Sequence, residues 1–192
     1  ASDMAEPALT VMMPSALTKP KTRPSAIASG RSAASRSSCV NGLLVKPDDG
    51  RSPYDRFRGR VMFPISDKRG RVIAFGGRVL GDEKPKYLNS PDTPLFHKGQ
   101  VLYAYREART AAQAGAEGIV AEGYMDVIAL HQGGFEGAVA PLGTALTEAQ
   151  IEELWRVKPE PLLCFDGDEA GRRAAARAAE RVLPILKPAH SL

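Results

Sequence analysis

Glu122, Asp166 and Asp168 each follow a short apolar run and stand beside or one residue from a glycine, a placement that suits metal-assisted chemistry. The run Ile119, Val120, Ala121 lies between Gly118 and Gly123 and predicts a buried parallel strand, which puts Glu122 at the strand's carboxyl end. Leu162 to Phe165 predicts a second buried strand, followed by Asp166 and Asp168 on a turn with Gly167 between them. Side chains two apart on turning backbone can converge on one ion when the residue between them is glycine. Carboxylates from neighbouring strand ends are hard oxygen ligands, suited to magnesium or manganese rather than zinc. Without a cation they would repel one another.

The elements needed to position these acids follow from pattern. Tyr124 to Gln132 has the apolar spacing of a short helix, with Met125, Ile128 and Ala129 on one side. Ala138 to Ala140 predicts a short strand. Thr147 with Gln150 is a capping box opening a helix over Glu148 to Val157, whose Leu154 and Trp155 should pack on the sheet. Glu169 to about Leu183 predicts a long helix, which Pro184 ends. Strands alternating with helices predict a mostly parallel sheet, and in such sheets ligands gather outside the carboxyl ends of the strands.

The region before this sheet is basic. Arg51, Arg56, Arg58, Arg60, Lys68, Arg69 and Arg71 accompany two strands, Val61 to Ile65 and Val72 to Phe75, joined by the turn Asp67 to Gly70 as a β-hairpin. Gly76 and Gly77 permit a bend or a close backbone approach, and Arg78 follows. Pro85 to Pro91 is expected to be an ordered loop presenting Lys86 and Asn89. Leu102 to Ala112 predicts a helix leading into the first parallel strand. Lys68 and Arg69 at the hairpin turn are expected to be solvated, as are Arg172, Arg173, Arg177 and Arg181 on the last helix.

Composition narrows the function classes. A chain of 192 residues can bury one substantial core, or one domain with a flanking subdomain. A formal charge of +4 permits a polyanionic partner without requiring one. Cys39 and Cys164 are far apart, with Cys164 expected in a buried strand, so neither a disulfide nor a Cys-x-x-Cys metal site is indicated. No zinc site can be built from His97, His131 and His190. No apolar stretch reaches the length of a membrane span. Residues 1–40 are rich in Ala, Ser, Pro, Lys and Arg and read as a disordered leader.

A glutamate after one strand and Asp-x-Asp after a later one resembles the Toprim domain of topoisomerases, primases and some nucleases. The surrounding motifs are more specific. They are Val-Met-Phe-Pro-Ile at 61–65, Phe-Gly-Gly-Arg at 75–78, Pro-Lys-Tyr-Leu-Asn-Ser-Pro at 85–91, Phe-His-Lys-Gly at 96–99, Glu-Gly-Tyr-Met-Asp at 122–126 and Asp-Gly-Asp-x-Ala-Gly at 166–171. In this order and spacing the chain resembles the RNA polymerase domain of bacterial DnaG-type primases, from roughly Gly42 onward.

That resemblance implies three parts: a non-family leader over 1–40, a basic α+β subdomain with a hairpin over 41–115, and an incomplete Toprim domain over 116–192. It implies nucleotidyl transfer, in which a ribose 3′-hydroxyl attacks the α-phosphate of an incoming nucleotide. Asp166 and Asp168 would be metal ligands for magnesium or manganese, and Asp126 an additional ligand or a neighbour of one. Glu122 would either ligate metal or transfer a proton. Arg60, Arg78, Lys86 and Lys98 would guide single-stranded DNA template and ribonucleoside triphosphates, with Asn89 bonding to nucleotide. The product would be a short RNA primer, made in the bacterial cytoplasm beside a replicative helicase that contacts a domain outside these residues. The rival readings are a Toprim nuclease or topoisomerase, and an inactive nucleic-acid-binding fragment.

Overall fold

The computed structural model describes residues 42–143 and 145–192; the expected leader over 1–40 lies outside them. A short antiparallel pair, β1 (Leu44–Val45) and β2 (Tyr54–Asp55), leads into a second antiparallel sheet formed by β3 (Arg60–Ser66), β4 (Val72–Val79) and β5 (Tyr87–Asn89). The predicted hairpin is present. Its turn is tied by the Asp67 carboxylate, which accepts from the backbone N–H of Arg69 and of Arg71, both at 2.9 Å, and Gly70 takes the left-handed φ of +82° that closes it.

One expectation fails here. Residues 87–89, assigned to a loop, form β5, pairing Gly76 with Asn89 and Arg78 with Tyr87. The strand β4 does not stop at its glycines: it runs extended to Val79, and its outer edge offers backbone groups that the 87–89 segment satisfies.

After a 3-10 turn at Lys98–Gln100, the helix α1 (Tyr105–Gln113) precedes a parallel sheet of three strands, β6 (Ile119–Ala121), β7 (Ala138–Val139) and β8 (Leu162–Cys164), in the order β7-β6-β8. The crossovers carry α2 (Tyr124–Gln132) and α3 (Glu148–Val157), and α4 (Glu169–Val182) follows the last strand. This is the mixed α/β architecture with a helix-flanked parallel sheet that the alternation predicts. One face of the sheet is covered by α1, α3 and α4 through Tyr105, Ala108, Ile151, Leu154, Ala178 and Val182. The other is covered by α2 through Val127.

Two burial assignments change. On α2 the buried residues are Tyr124 and Val127, and Ala129 is exposed. On β8, Leu162 and Cys164 are exposed. The cause is position: β8 forms the sheet edge, and α2 reaches only β6 and β7, so alternate β8 side chains have no cover. Among the described residues no helix is long and apolar enough to cross a membrane.

The two sheets meet through a shared core in which Ile65, Ala74 and Phe96 pack with Tyr124 and Leu142. A polar contact reinforces the junction. Lys68, expected to be solvated, places its ammonium 2.7 Å from the Glu153 carboxylate on α3, where Arg156 Nη1 also donates at 2.7 Å. Burial pushes the Glu153 carboxyl up, but the hydrogen bonds and charges of Lys68, Tyr105 and Arg156 outweigh it and hold the group below the ordinary glutamate value. A carboxyl lowered on folding adds stability at pH values above its unfolded pKa and loses it as pH falls through the folded one. Lys68→Met should therefore destabilise the chain by roughly 0.5–1 kcal/mol near neutral pH. Urea unfolding should show that gap closing on acidification below the ordinary glutamate range.

Candidate active site

Both acid corners stand where the sequence predicts, at the carboxyl ends of paired parallel strands: Ala121 of β6 is in register with Cys164 of β8. Glu122 is half-buried and bridges the corners, its Oε1 accepting the backbone N–H of Asp166 at 3.0 Å. The α4 helix begins tight against this bridge. A Cβ at position 171 would stand 2.7 Å from Glu122 Oε1 and collide with the Asp166 carbonyl, so only glycine admits the approach.

The remaining acids have structural partners. Asp168 is the N-cap of α4, and its Oδ1 accepts from Gly171 N at 2.8 Å. Asp126 Oδ2 accepts from Gly123 N at 3.0 Å, closing the first turn of α2. A negative charge at either helix start is favoured by the helix dipole. Asp166 is exposed, and no described residue donates to its carboxylate.

Among the described residues, no three His, Cys, Asp or Glu side chains stand close enough to form a ready metal cluster. The pair brought together is Glu122 with the Asp166 backbone, while Asp168 and Asp126 are turned to their own helix starts. The donor set nevertheless fits a hard divalent ion in its chemistry, being all carboxylate and gathered at two hydrogen-bonded strand ends.

The basic candidates lie along the antiparallel sheet and the turn after it. Arg60 donates from Nη2 to the Pro85 carbonyl at 2.7 Å and from Nη1 to the Lys86 carbonyl at 3.3 Å, so it props the segment that carries Lys86. The Arg78 guanidinium lies 5.7 Å from the Tyr87 ring centroid, and its Nε is buried without a partner. The Asn89 Oδ1 is likewise buried and unpaired; it faces Gly76, while its amide nitrogen faces Gly143. Lys98 forms no ion pair among the described residues.

Tyr124 joins the two halves; beside its glycine turn, sequence reasoning leaves it either to stack on a base or to serve as partly buried scaffold, and the structure buries it. It opens α2 two residues after Glu122 and is 5 % exposed. Its ring packs on Phe63 with centroids 4.7 Å apart, and on Tyr87 and Tyr103 at 5.7 Å each. Its hydroxyl donates to the Gly77 carbonyl at 3.5 Å, the long limit of such a bond. Burial, then the neighbouring Tyr87 and Tyr103, push its pKa up to about 12, so it stays a neutral donor. The available signal was Gly-Gly in a strand: a Cβ at Gly76 would lie 3.0 Å from the Tyr124 ring.

The chain is similar to known proteins over most of its length. The DNA primase catalytic core, N-terminal domain, matches residues 20–109, and the Toprim domain matches residues 117–189. The DNA primase of Pseudomonas aeruginosa is 64% identical over 146 residues, which are 76% of this chain and 22% of that protein. The DNA primase of Escherichia coli K12 is 56% identical over 151 residues, 79% of this chain and 26% of that one. A crystal structure of a DNA primase domain from Pseudomonas aeruginosa superposes with a TM-score of 0.80 at 58% identity, covering 84% of this chain and 50% of that domain. A DnaG primase catalytic domain bound to single-stranded DNA gives a TM-score of 0.74 at 51% identity, covering 81% of this chain and 48% of that one. This chain thus spans about a quarter of the length of the full primases it matches. With acid corners and basic sheet in one framework, and with both domain matches in sequence order, the chain belongs to the DnaG-type DNA primases, a family of nucleotidyltransferases.

Proposed function

We propose that this chain carries the template-guiding and acidic parts of a primase active site that joins ribonucleotides into a short RNA primer on single-stranded DNA. The observation that carries this reading is the Tyr124 junction. One ring ties the acid corner at Glu122 to the strand that bears Gly76, Gly77 and Arg78, so the phosphate-binding surface and the carboxylates form one rigid arrangement.

In this reading Glu122, Asp166 and Asp168 would hold the divalent ions, magnesium or manganese, with Asp126 steadying the start of α2 beside them. Toprim primases are metal-dependent as a family. When bound, such ions stabilise the charge that develops on the attacking and leaving oxygens. The protein's own contribution is orientation. Lys86, Arg78 and Lys98 bind phosphate oxygens of template and nucleotide; Arg60 keeps the Lys86 segment in place, and Asn89 on the adjoining strand β5 is the candidate for a bond to the nucleotide. The Glu122 carboxylate is half-buried and already engaged with backbone, which favours a fixed ligand over a mobile proton carrier. The replicative helicase would act through parts of the full primase beyond these residues.

The test is synthesis by the 192-residue chain on single-stranded DNA with ribonucleotides and magnesium. Short RNA products that depend on both template and metal support the reading; salt-sensitive DNA binding without synthesis would restrict this chain to the template-binding role. The contribution of Lys86 is separately measurable. Lys86→Ala should weaken single-strand binding and lower the slope of log affinity against log salt by about 0.7, the share of one phosphate contact. A fluorescence anisotropy titration across salt concentrations reads this directly.

A further inference from the structure

The N-terminus of α3 makes more bonds than its helix requires. Thr147 is the N-cap: its hydroxyl accepts from Gln150 N at 3.2 Å, and Gln150 Oε1 accepts from Thr147 N at 3.0 Å. Those two bonds complete a capping box, and a glutamate at position 150 would serve it equally well. The remaining polar capacity of both side chains is directed elsewhere. Gln150 Nε2 donates to the Lys98 carbonyl at 3.0 Å and to the Val101 carbonyl at 2.9 Å, and Thr147 Oγ1 donates to the Gly99 carbonyl at 2.6 Å. Gln150 is fully buried, with both amide hydrogens and its oxygen engaged.

The segment so held is short and weak by itself. Its one internal turn is the 3-10 helix Lys98–Gln100, closed by Gln100 N donating to the His97 carbonyl at 2.9 Å. Three residues of 3-10 helix do not persist alone. Three of its four backbone carbonyls, those of Lys98, Gly99 and Val101, are fixed by two side chains from the Toprim half, and the Lys98 N–H is fixed by Asp92 Oδ1 at 3.1 Å. Lys98 thus has its backbone bound on both sides, while its ammonium forms no ion pair among the described residues. A long side chain on an anchored backbone loses less freedom on meeting a phosphate than one on a mobile loop.

We propose that Thr147 and Gln150 are positioning residues for the phosphate contact of Lys98, and that position 150 is glutamine because only an amide both completes the cap and donates to the Lys98 turn. This rests on Lys98 being a phosphate-binding residue. Gln150→Glu separates the two duties, because it keeps the cap and sets carboxylate oxygen against the two loop carbonyls.

The experiment uses the full 192-residue chain and a fluorescent single-stranded DNA oligonucleotide titrated over a range of salt concentrations. Lys98→Ala should lower the slope of log affinity against log salt by about 0.7. Gln150→Glu should give the same loss of slope, match the Lys98→Ala affinity within about twofold, and add nothing in the double variant. A Gln150→Glu protein that keeps the wild-type slope, or whose loss multiplies with that of Lys98→Ala, overturns the proposal. If Lys98→Ala leaves the slope unchanged, the reading of Lys98 falls, and the positioning role falls with it. Circular dichroism reports whether the variant folds; should Gln150→Glu not fold, Gln150→Met, which removes the donors without adding charge, is judged by the same two outcomes.

Discussion

Asp168→Asn is expected to reduce metal-dependent primer synthesis by on the order of 10² to 10³, with single-strand affinity unchanged within about twofold. The choice of asparagine matters because Asp168 caps α4 through Gly171 N. Alanine would remove cap and charge together, at about 1 kcal/mol of stability, and a loss of activity could then be ascribed to folding. Asparagine keeps a capping oxygen and removes the charge that would hold an ion. Asp166→Asn should behave alike, since no described residue donates to its carboxylate and the substitution leaves the fold without a lost bond. Glu122→Gln retains an oxygen for Asp166 N and should also lose synthesis. Parallel loss of DNA binding in these variants would show that the acids serve the surface as a whole and not the chemistry.

Tyr124→Ala should cost about 3–5 kcal/mol in unfolding free energy, the range for an aromatic ring removed from a packed core. The ring is shared by Phe63, Tyr87 and Tyr103, and its loss would open a cavity where the two sheets join. Small domains have about 5–15 kcal/mol in total, so this one change takes a large part of it. Tyr124→Phe keeps the ring and loses only the long bond to Gly77, and should fall within about 1 kcal/mol of the parent protein. Urea titrations of the two variants distinguish packing from hydrogen bonding. A small effect of the alanine change would mean that the junction is held chiefly by Ile65, Phe96 and Leu142.

Local pattern served well where the determinants are close in sequence. The helix over Tyr124–Gln132 and the helix over Glu148–Val157 with its capping box appear with the predicted bounds, because each start has its stop and cap within a few residues. Both acid corners were legible for the same reason, a short apolar run ending at an acid beside glycine. The failures share a different cause. Residues 87–89 become a strand only because β4 presents an edge to them, and Leu162 and Cys164 are exposed only because β8 has no cover on one face. Tyr124 meets the Gly77 carbonyl across 47 residues of chain, and Gln150 reaches the Lys98 carbonyl across 52. Nothing near Lys68 in sequence identifies Glu153 as its partner. How the acids orient their oxygens was also outside the reach of pattern: Asp126 and Asp168 each accept from a backbone N–H three residues away.

The α4 helix is fixed at both ends by contacts outside itself. Near its start, Gly171 lies against the Asp166 carbonyl and Glu122; near its end, Arg181 Nη1 donates to the Leu146 carbonyl at 2.6 Å, one residue before the Thr147 cap. Ten residues of helix separate these anchors, a span of about 15 Å. The helix is therefore a strut between the carboxylates and the loop that ends at Thr147, whose hydroxyl holds the Lys98 turn. A side chain forced in at position 171 would displace the strut along its length, so damage at the acid corner would be felt at the Lys98 turn, which Glu122, Asp166 and Asp168 do not touch.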